Sequence, residues 1–291
     1  MFVRHKTYIL DGGLATELER RGHDLNHALW SARLIRENPT VIKSVHRAYL
    51  EAGAEVIIAA TYQVSQDAQM VADGVRLAVE ARDGYGRGIV AASIGPYGAY
   101  LANGAEYTGD YDLNEGQLVD FHALRWDVCM RSSADLLACE TIPSLPETRA
   151  LLTLLHRQAQ NPVWFAFSCR NGRQINDGTP LHSCAELLAD EPRVAAIGVN
   201  CTRPVYIEEA IAEIRAVSDK PIVVYPNSGE RWDAANHCWI DGSAETVEEY
   251  VARAMRWRSA GATIIGGCCR TTPVHIAALK RAFLLTSSNG R

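Results

Sequence analysis

The chain has 291 residues, 47% apolar and 22% charged, with 29 Lys and Arg against 34 Asp and Glu. This composition excludes a long disordered chain, which lacks the apolar surface to offset its ordering entropy. The formal charge of −5 argues against nucleic acid or an anionic membrane as the main partner, since both recruit concentrated basic surface.

Eight short apolar, β-branched runs read as buried strands: 7–10, 55–60, 88–94, 135–139, 163–168, 194–199, 221–225 and 262–265. Their starts lie about 36 residues apart on average, and helical patterns fill most of the intervals. Asn38-Pro39-Thr40 opens a segment with Val41, Val45, Ala48 and Tyr49 at helical spacing. Further helices are expected at 115–133, from Pro146 to about Gln158, at 204–217 and at 243–260. The second crossover looks shortened: about 27 residues separate Thr61 from Gly88, and Gly74, Gly84 and Gly86 interrupt them. Segment 66–87 is therefore expected to be a short or partly disordered crossover.

Buried strands alternating with helices pair in parallel, and eight such units close into a (β/α)8 TIM barrel, a single domain over residues 1–291. A doubly wound open sheet is the alternative, but Asp11-Gly12-Gly13-Leu14-Ala15-Thr16 is not the Gly-rich dinucleotide turn, and no P-loop occurs. No run of 18 apolar residues suggests a membrane span. The N-terminus lacks a secretory pattern, so the cytoplasm is the expected location and the eight cysteines are expected to be thiols or metal ligands.

Barrel chemistry sits at the C-terminal strand ends. Those ends carry Asp11-Gly12-Gly13, Thr61-Tyr62-Gln63, Gly95-Pro96-Tyr97-Gly98, Glu140-Thr141, Ser168-Cys169, Asn200-Cys201, Asn227-Ser228-Gly229-Glu230 and Gly266-Gly267-Cys268-Cys269. Strands 6 and 8 are near neighbours around the mouth, so Cys201 can face Cys268 and Cys269. Three converging thiolates suit Zn2+ and leave a fourth position open, as in catalytic zinc sites. Gly266 and Gly267 would let the backbone approach the metal. A vicinal Cys268–Cys269 disulfide and plain burial are the alternatives. Cys129, Cys139 and Cys184 read as core thiols, and Cys169 as core or a fourth ligand. Asp11 could be an ordinary turn or cap residue. Glu140 follows the apolar run Leu136-Leu137-Ala138 and needs a partner there. His27, His122 and His182 read as structural or exposed.

Three blocks resemble the zinc-dependent homocysteine S-methyltransferase family: 11–18 (DGGLATEL), 198–201 (GVNC) and 266–273 (GGCCRTTP). Three more are similar to its S-methylmethionine-using branch: 93–101, 135–141 and 224–230. The resemblance covers nearly the whole chain in collinear order. It implies that Cys201, Cys268 and Cys269 bind Zn2+, whose open position receives the homocysteine sulfur. It further implies that Asp11, Gly12 and Glu140 hold the amino acid part of homocysteine, with Asn200, Asn227 and Ser228 as further substrate-contacting residues. Trp30, Tyr97 and Glu230 are candidates to face a sulfonium donor, S-methylmethionine or S-adenosylmethionine. A methyl would then pass in line to a metal-activated thiolate with no side-chain base, forming methionine. A selenocysteine or selenohomocysteine acceptor, and a non-catalytic thiol redox or metal-binding protein, are the alternatives. Betaine donors belong to a sister branch whose blocks fit less well, and the chain length leaves no room for a cobalamin or folate module.

Overall fold

In the computed structural model, residues 2–3, 6–25, 30–158, 160–229, 231–233, 238–240 and 245–288 are described. All eight expected strands form: β1 (Tyr8–Ile9), β2 (Val56–Ile58), β3 (Ile89–Ile94), β4 (Leu136–Ile142), β5 (Val163–Phe167), β6 (Val194–Asn200), β7 (Ile222–Tyr225) and, last in the chain, β10 (Ala262–Ile265). A small antiparallel hairpin, β8 (Arg231–Asp233) and β9 (Cys238–Ile240), lies between β7 and β10 in sequence and was not foreseen.

The eight strands pair in parallel in the spatial order β1-β10-β7-β6-β5-β4-β3-β2. A parallel bridge between Leu10 and Val56 joins the two ends of that order, giving a nearly closed TIM-type barrel. Strand side chains alternate between two cores. Tyr8, Leu10, Ala91, Leu136, Ala138, Trp164, Ala166, Val223, Tyr225 and Ile264 fill the barrel. Their neighbours, such as Ile9, Leu137, Cys139, Phe165 and Val224, pack outward against the helices.

Among the described residues eleven α-helices accompany the strands: α1 (Leu14–Arg20), α2 (Leu34–Glu37), α3 (Pro39–Ala52), α4 (Ala68–Tyr85), α5 (Tyr97–Leu101), α6 (Glu115–Met130), α7 (Leu145–Arg157), α8 (Leu181–Ala189), α9 (Ile207–Arg215), α10 (Val247–Ala260) and α11 (Pro273–Ser288). Their starts follow cap chemistry. The Asn38 side chain accepts from the Val41 N–H ahead of Pro39. Asn114 with Gln117, and Thr246 with Glu249, close reciprocal capping boxes. No helix among the described residues is long and apolar enough to cross a membrane.

The second crossover departs from expectation. It is a complete 18-residue helix, α4, capped by the Asp67 side chain at one end and left-handed Gly86 at the other. Gly74 does not break it, because a Cβ there would lie 2.8 Å from Thr61 Cγ2, and the missing side chain allows the helix to sit close to the end of β2. The buried stripe Met70, Val71, Val75, Ala78 and Ala81 gives α4 its apolar face, so the interruption at 66–87 does not exist.

Candidate active site

The inward alternation of the barrel strands continues past the apolar layer. Two or four residues beyond Ala91, Ala138, Ala166, Ala196 and Val223 stand Ser93, Glu140, Ser168, Asn200 and Tyr225, all buried. The mouth is thus floored by polar groups that alternate with outward apolar ones.

Cys201, Cys268 and Cys269 converge there. Their sulfurs all lie within 4.8 Å of one another, and each residue is partly exposed. Tetrahedral ligands about 2.3 Å from zinc would stand roughly 3.8 Å apart, and Cys268 and Cys269 Sγ are 3.9 Å apart. Cys201 and Cys268 are joined as a disulfide, with Cα atoms 5.6 Å apart. The expected vicinal Cys268–Cys269 alternative is therefore not the pair that forms. Reduced, the trio presents three soft donors on one face, which suits zinc. Cys169 is buried with its sulfur near the Phe167 carbonyl and stands outside the cluster. Cys129, Cys139 and Cys184 are buried core thiols. The side chain of Cys238 lies outside the described residues.

Backbone geometry aims these sulfurs. Cys201 has φ 44° and Arg270 has φ 65°, both left-handed and costly for non-glycine residues. The Cys201 N–H donates to the Tyr225 carbonyl, and the Cys268 N–H to the Pro226 carbonyl. Close packing also requires Gly266 and Gly267. Added Cβ atoms would lie 2.5 Å from the Asp11 carbonyl and 2.3 Å from Thr271 Oγ1, so these glycines let β10 pass close to the end of β1 and to its own following turn. Thr271 Oγ1 accepts from Gly13 N–H and donates to the Cys268 carbonyl, which ties the two loops together. Gly12 is pressed between Thr271 and the Tyr49 ring, and Tyr49 donates to the Gly13 carbonyl at 2.9 Å.

Asp11 and Glu140 lie close enough for the Glu140 charge to raise the Asp11 pKa. Burial is the larger cause and holds Asp11 well above the usual carboxylate range, although Oδ2 accepts from Ile58 N–H at 2.8 Å. Burial likewise pushes Glu140 up to about 7, against hydrogen bonds from Ser93 and Tyr225 that favour its charged form. Among the described residues neither acid forms an ion pair, so the pair is a ready receptor for a cation.

Asn200 is fully buried, and its amide is engaged with Thr141. Oδ1 accepts from Thr141 N–H at 2.7 Å, and Nδ2 donates to Thr141 Oγ1 at 2.8 Å. Thr141 itself has φ 59°, and its carbonyl shares the single Ser168 hydroxyl proton with the Glu106 carbonyl. Asn200 is thus a brace for the Glu140–Thr141 corner rather than the open substrate contact that was expected. Asn227 and Ser228 form the turn beside the cysteines, with Ser228 N–H donating to the Cys269 carbonyl. Tyr97 is also reassigned. Its N–H donates to Glu147, and its ring packs edge-on against Tyr111 and Phe121, so packing accounts for it. The Trp30 side chain, His27 and Glu230 lie outside the described residues.

Three further residues gather at the mouth. The loop after β3 folds back in a 3-10 turn, Ala105–Tyr107, that brings the Tyr107 hydroxyl into hydrogen bonding with Cys269. Glu106 raises the pKa of Tyr62, Tyr107 and Cys269 by its charge, so it is their neighbour, and burial pushes its own carboxyl up to about 7. Behind them, buried Arg125 donates to the carbonyls of Tyr62 and Gly95 and to His122, and His122 contacts Glu147 at 2.8 Å. This network fixes the loops after β2 and β3. His122 is structural, in line with its sequence reading. A histidine, His122, and a charged Arg125 on the apolar face of α6 were the available signal.

A TIM-type barrel whose mouth gathers three cysteine sulfurs, a group that could hold a metal ion, together with a pair of buried acids defines a class of barrel enzymes with a candidate metal site. Comparison with known proteins narrows the class: the homocysteine S-methyltransferase family profile matches residues 8–283, and the chain belongs to that family. It is 42% identical to homocysteine S-methyltransferase YbgG of Bacillus subtilis, over 92% of this chain and 91% of that protein. It is also 42% identical to the Escherichia coli homocysteine S-methyltransferase, with 94% of each covered. The metallated form of the E. coli enzyme MmuM superposes with a TM-score of 0.85 at 39% identity, covering 96% of both chains. Its oxidised form superposes at 0.84 with 40% identity, covering 94% of this chain and 95% of that one.

Proposed function

We propose that this protein transfers a methyl group from a sulfonium donor, S-methylmethionine in preference to S-adenosylmethionine, to the sulfur of L-homocysteine, with a zinc ion held by Cys201, Cys268 and Cys269. The observation that carries this reading is the convergence of three cysteine sulfurs at a barrel mouth that also holds two buried acids with no ion pair among the described residues. Family membership and the metallated relative support it.

When bound, zinc favours the thiolate form of a coordinating thiol, so no side-chain base is required. Asp11 and Glu140 take the homocysteine ammonium, a cation that relieves their burial. Ser93 and Tyr225 orient Glu140 from either side. The Gly12 backbone and the Asn227–Ser228 turn bound the same space. Three thiolates with one dication sum to −1, which attracts a cationic donor. The methyl carbon leaves the donor sulfonium as its bond to the homocysteine sulfur forms. The donor departs as a neutral thioether, and the thiol proton goes to solvent. With S-methylmethionine both products are methionine. Holding the methyl between two sulfurs supplies much of the acceleration.

The test is methionine formation by reduced, zinc-supplied protein from homocysteine with S-methylmethionine, S-adenosylmethionine or betaine. The sulfonium donors should react, S-methylmethionine fastest, and Cys268→Ser should lose both zinc and activity. Full activity in Cys268→Ser would contradict the proposal.

A further inference from the structure

Glu106 carries an observation at the mouth that the proposed function leaves unused. Its Oε2 is buried and has no hydrogen-bond partner among the described residues. A buried carboxylate oxygen without a donor is costly and is retained where something else arrives to meet it. The position is not a loose accident of a loop. The Glu106 carbonyl accepts from buried Ser168 Oγ at 3.0 Å and from Asn176 Nδ2 at 3.3 Å. Gly98 packs so closely that a Cβ there would stand 2.3 Å from Glu106 N, so α5 and the 3-10 turn are pressed together. The backbone is fixed, and the carboxylate lies near enough to Tyr62, Tyr107 and Cys269 for its charge to raise the pKa of each.

Resting on the reading above, we propose that Glu106 is the specificity-determining residue for the methyl donor, its free carboxylate oxygen receiving the sulfonium cation beside Cys269. A sulfonium offers positive charge but no N–H. An acceptor built for it therefore has charge to meet and no hydrogen bond to make, which is the state of Oε2. Tyr62 and Tyr107 add aromatic faces suited to the same cation. The homocysteine ammonium is provided for separately by Asp11 and Glu140, so the two substrates are read by different acids.

The experiment compares wild type with Glu106→Gln, which keeps shape and removes charge. In the zinc-loaded enzyme the KM for S-methylmethionine should rise about tenfold or more, the loss expected when a desolvated opposite charge is removed. The homocysteine KM and zinc content should stay within about twofold, since the acids and thiols that hold them are untouched. Calorimetric titration adds a readout independent of turnover: affinity for S-methylmethionine should fall, while affinity for methionine, the uncharged thioether, stays the same. Equal losses for both ligands, or no loss for either, would overturn the proposal. If the Gln variant does not fold, Glu106→Asp carries the test, with a several-fold rise in donor KM expected and an unchanged value overturning it. Should wild type methylate homocysteine from no sulfonium, the functional reading fails, while the calorimetric contrast still decides the role of Glu106.

Discussion

Replacing Asn200 with Ala tests how the acid corner is built. The change removes two buried hydrogen bonds, to Thr141 N–H at 2.7 Å and Thr141 Oγ1 at 2.8 Å. The stranded N–H costs about 1–3 kcal/mol, and the lost bonds add about 1 kcal/mol net. Relaxation of Thr141 from φ 59° returns about 1 kcal/mol. The expected destabilisation is about 1–3 kcal/mol. For 291 residues this lowers Tm by about 2–5 °C. Because Thr141 adjoins Glu140, the homocysteine KM should rise as well, with zinc content unchanged. Urea unfolding, thermal scans and steady-state kinetics read all three. A loss under about 1 kcal/mol together with an unaltered homocysteine KM would refute the bracing role.

Other consequences follow from burial and close packing. Glu140 has a folded pKa near 7, above its unfolded value of about 4.5, so the folded state holds the extra proton and stability falls as pH rises through that window. Without substrate, wild type should lose up to about 3 kcal/mol relative to Glu140→Gln between pH 4.5 and 8; a pH-independent difference would contradict this. His46 is buried with no partner among the described residues on either ring nitrogen, and burial lowers it to about 4, so its neutral form is required and stability falls as pH drops from 6.5. His46→Leu should flatten the acid limb of a stability-against-pH curve, and an equally steep limb would show that other groups cause it. Gly98→Ala puts a Cβ 2.3 Å from Glu106 N and should raise the donor KM more than the homocysteine KM. Equal KM changes would place the loop outside donor binding.

The eight strands were legible because a parallel barrel buries both strand faces, leaving continuous apolar runs such as Val163–Phe167. The crossover at 66–87 was misread because its glycines look like breakers, whereas Gly74 serves close packing and Gly86 ends the helix. The cysteines stood out by residue type. Whether Asn200 faces a substrate or a neighbouring backbone corner depends on a left-handed Thr141 that no local pattern announces. Ser93 and Tyr225 were within reach of a parity count along β3 and β7, each an even number of residues from an inward apolar position. Glu106 was not, because its place at the mouth depends on a loop returning over the barrel and held by residues about 60 to 70 positions away.

The most direct test of the central claim is the metal complement of the reduced protein, measured by elemental analysis together with zinc X-ray absorption. The account predicts one zinc per chain bound by three sulfurs, rising to four when homocysteine is added. A protein that methylates homocysteine with no zinc, or with a sulfur count unmoved by homocysteine, would contradict it.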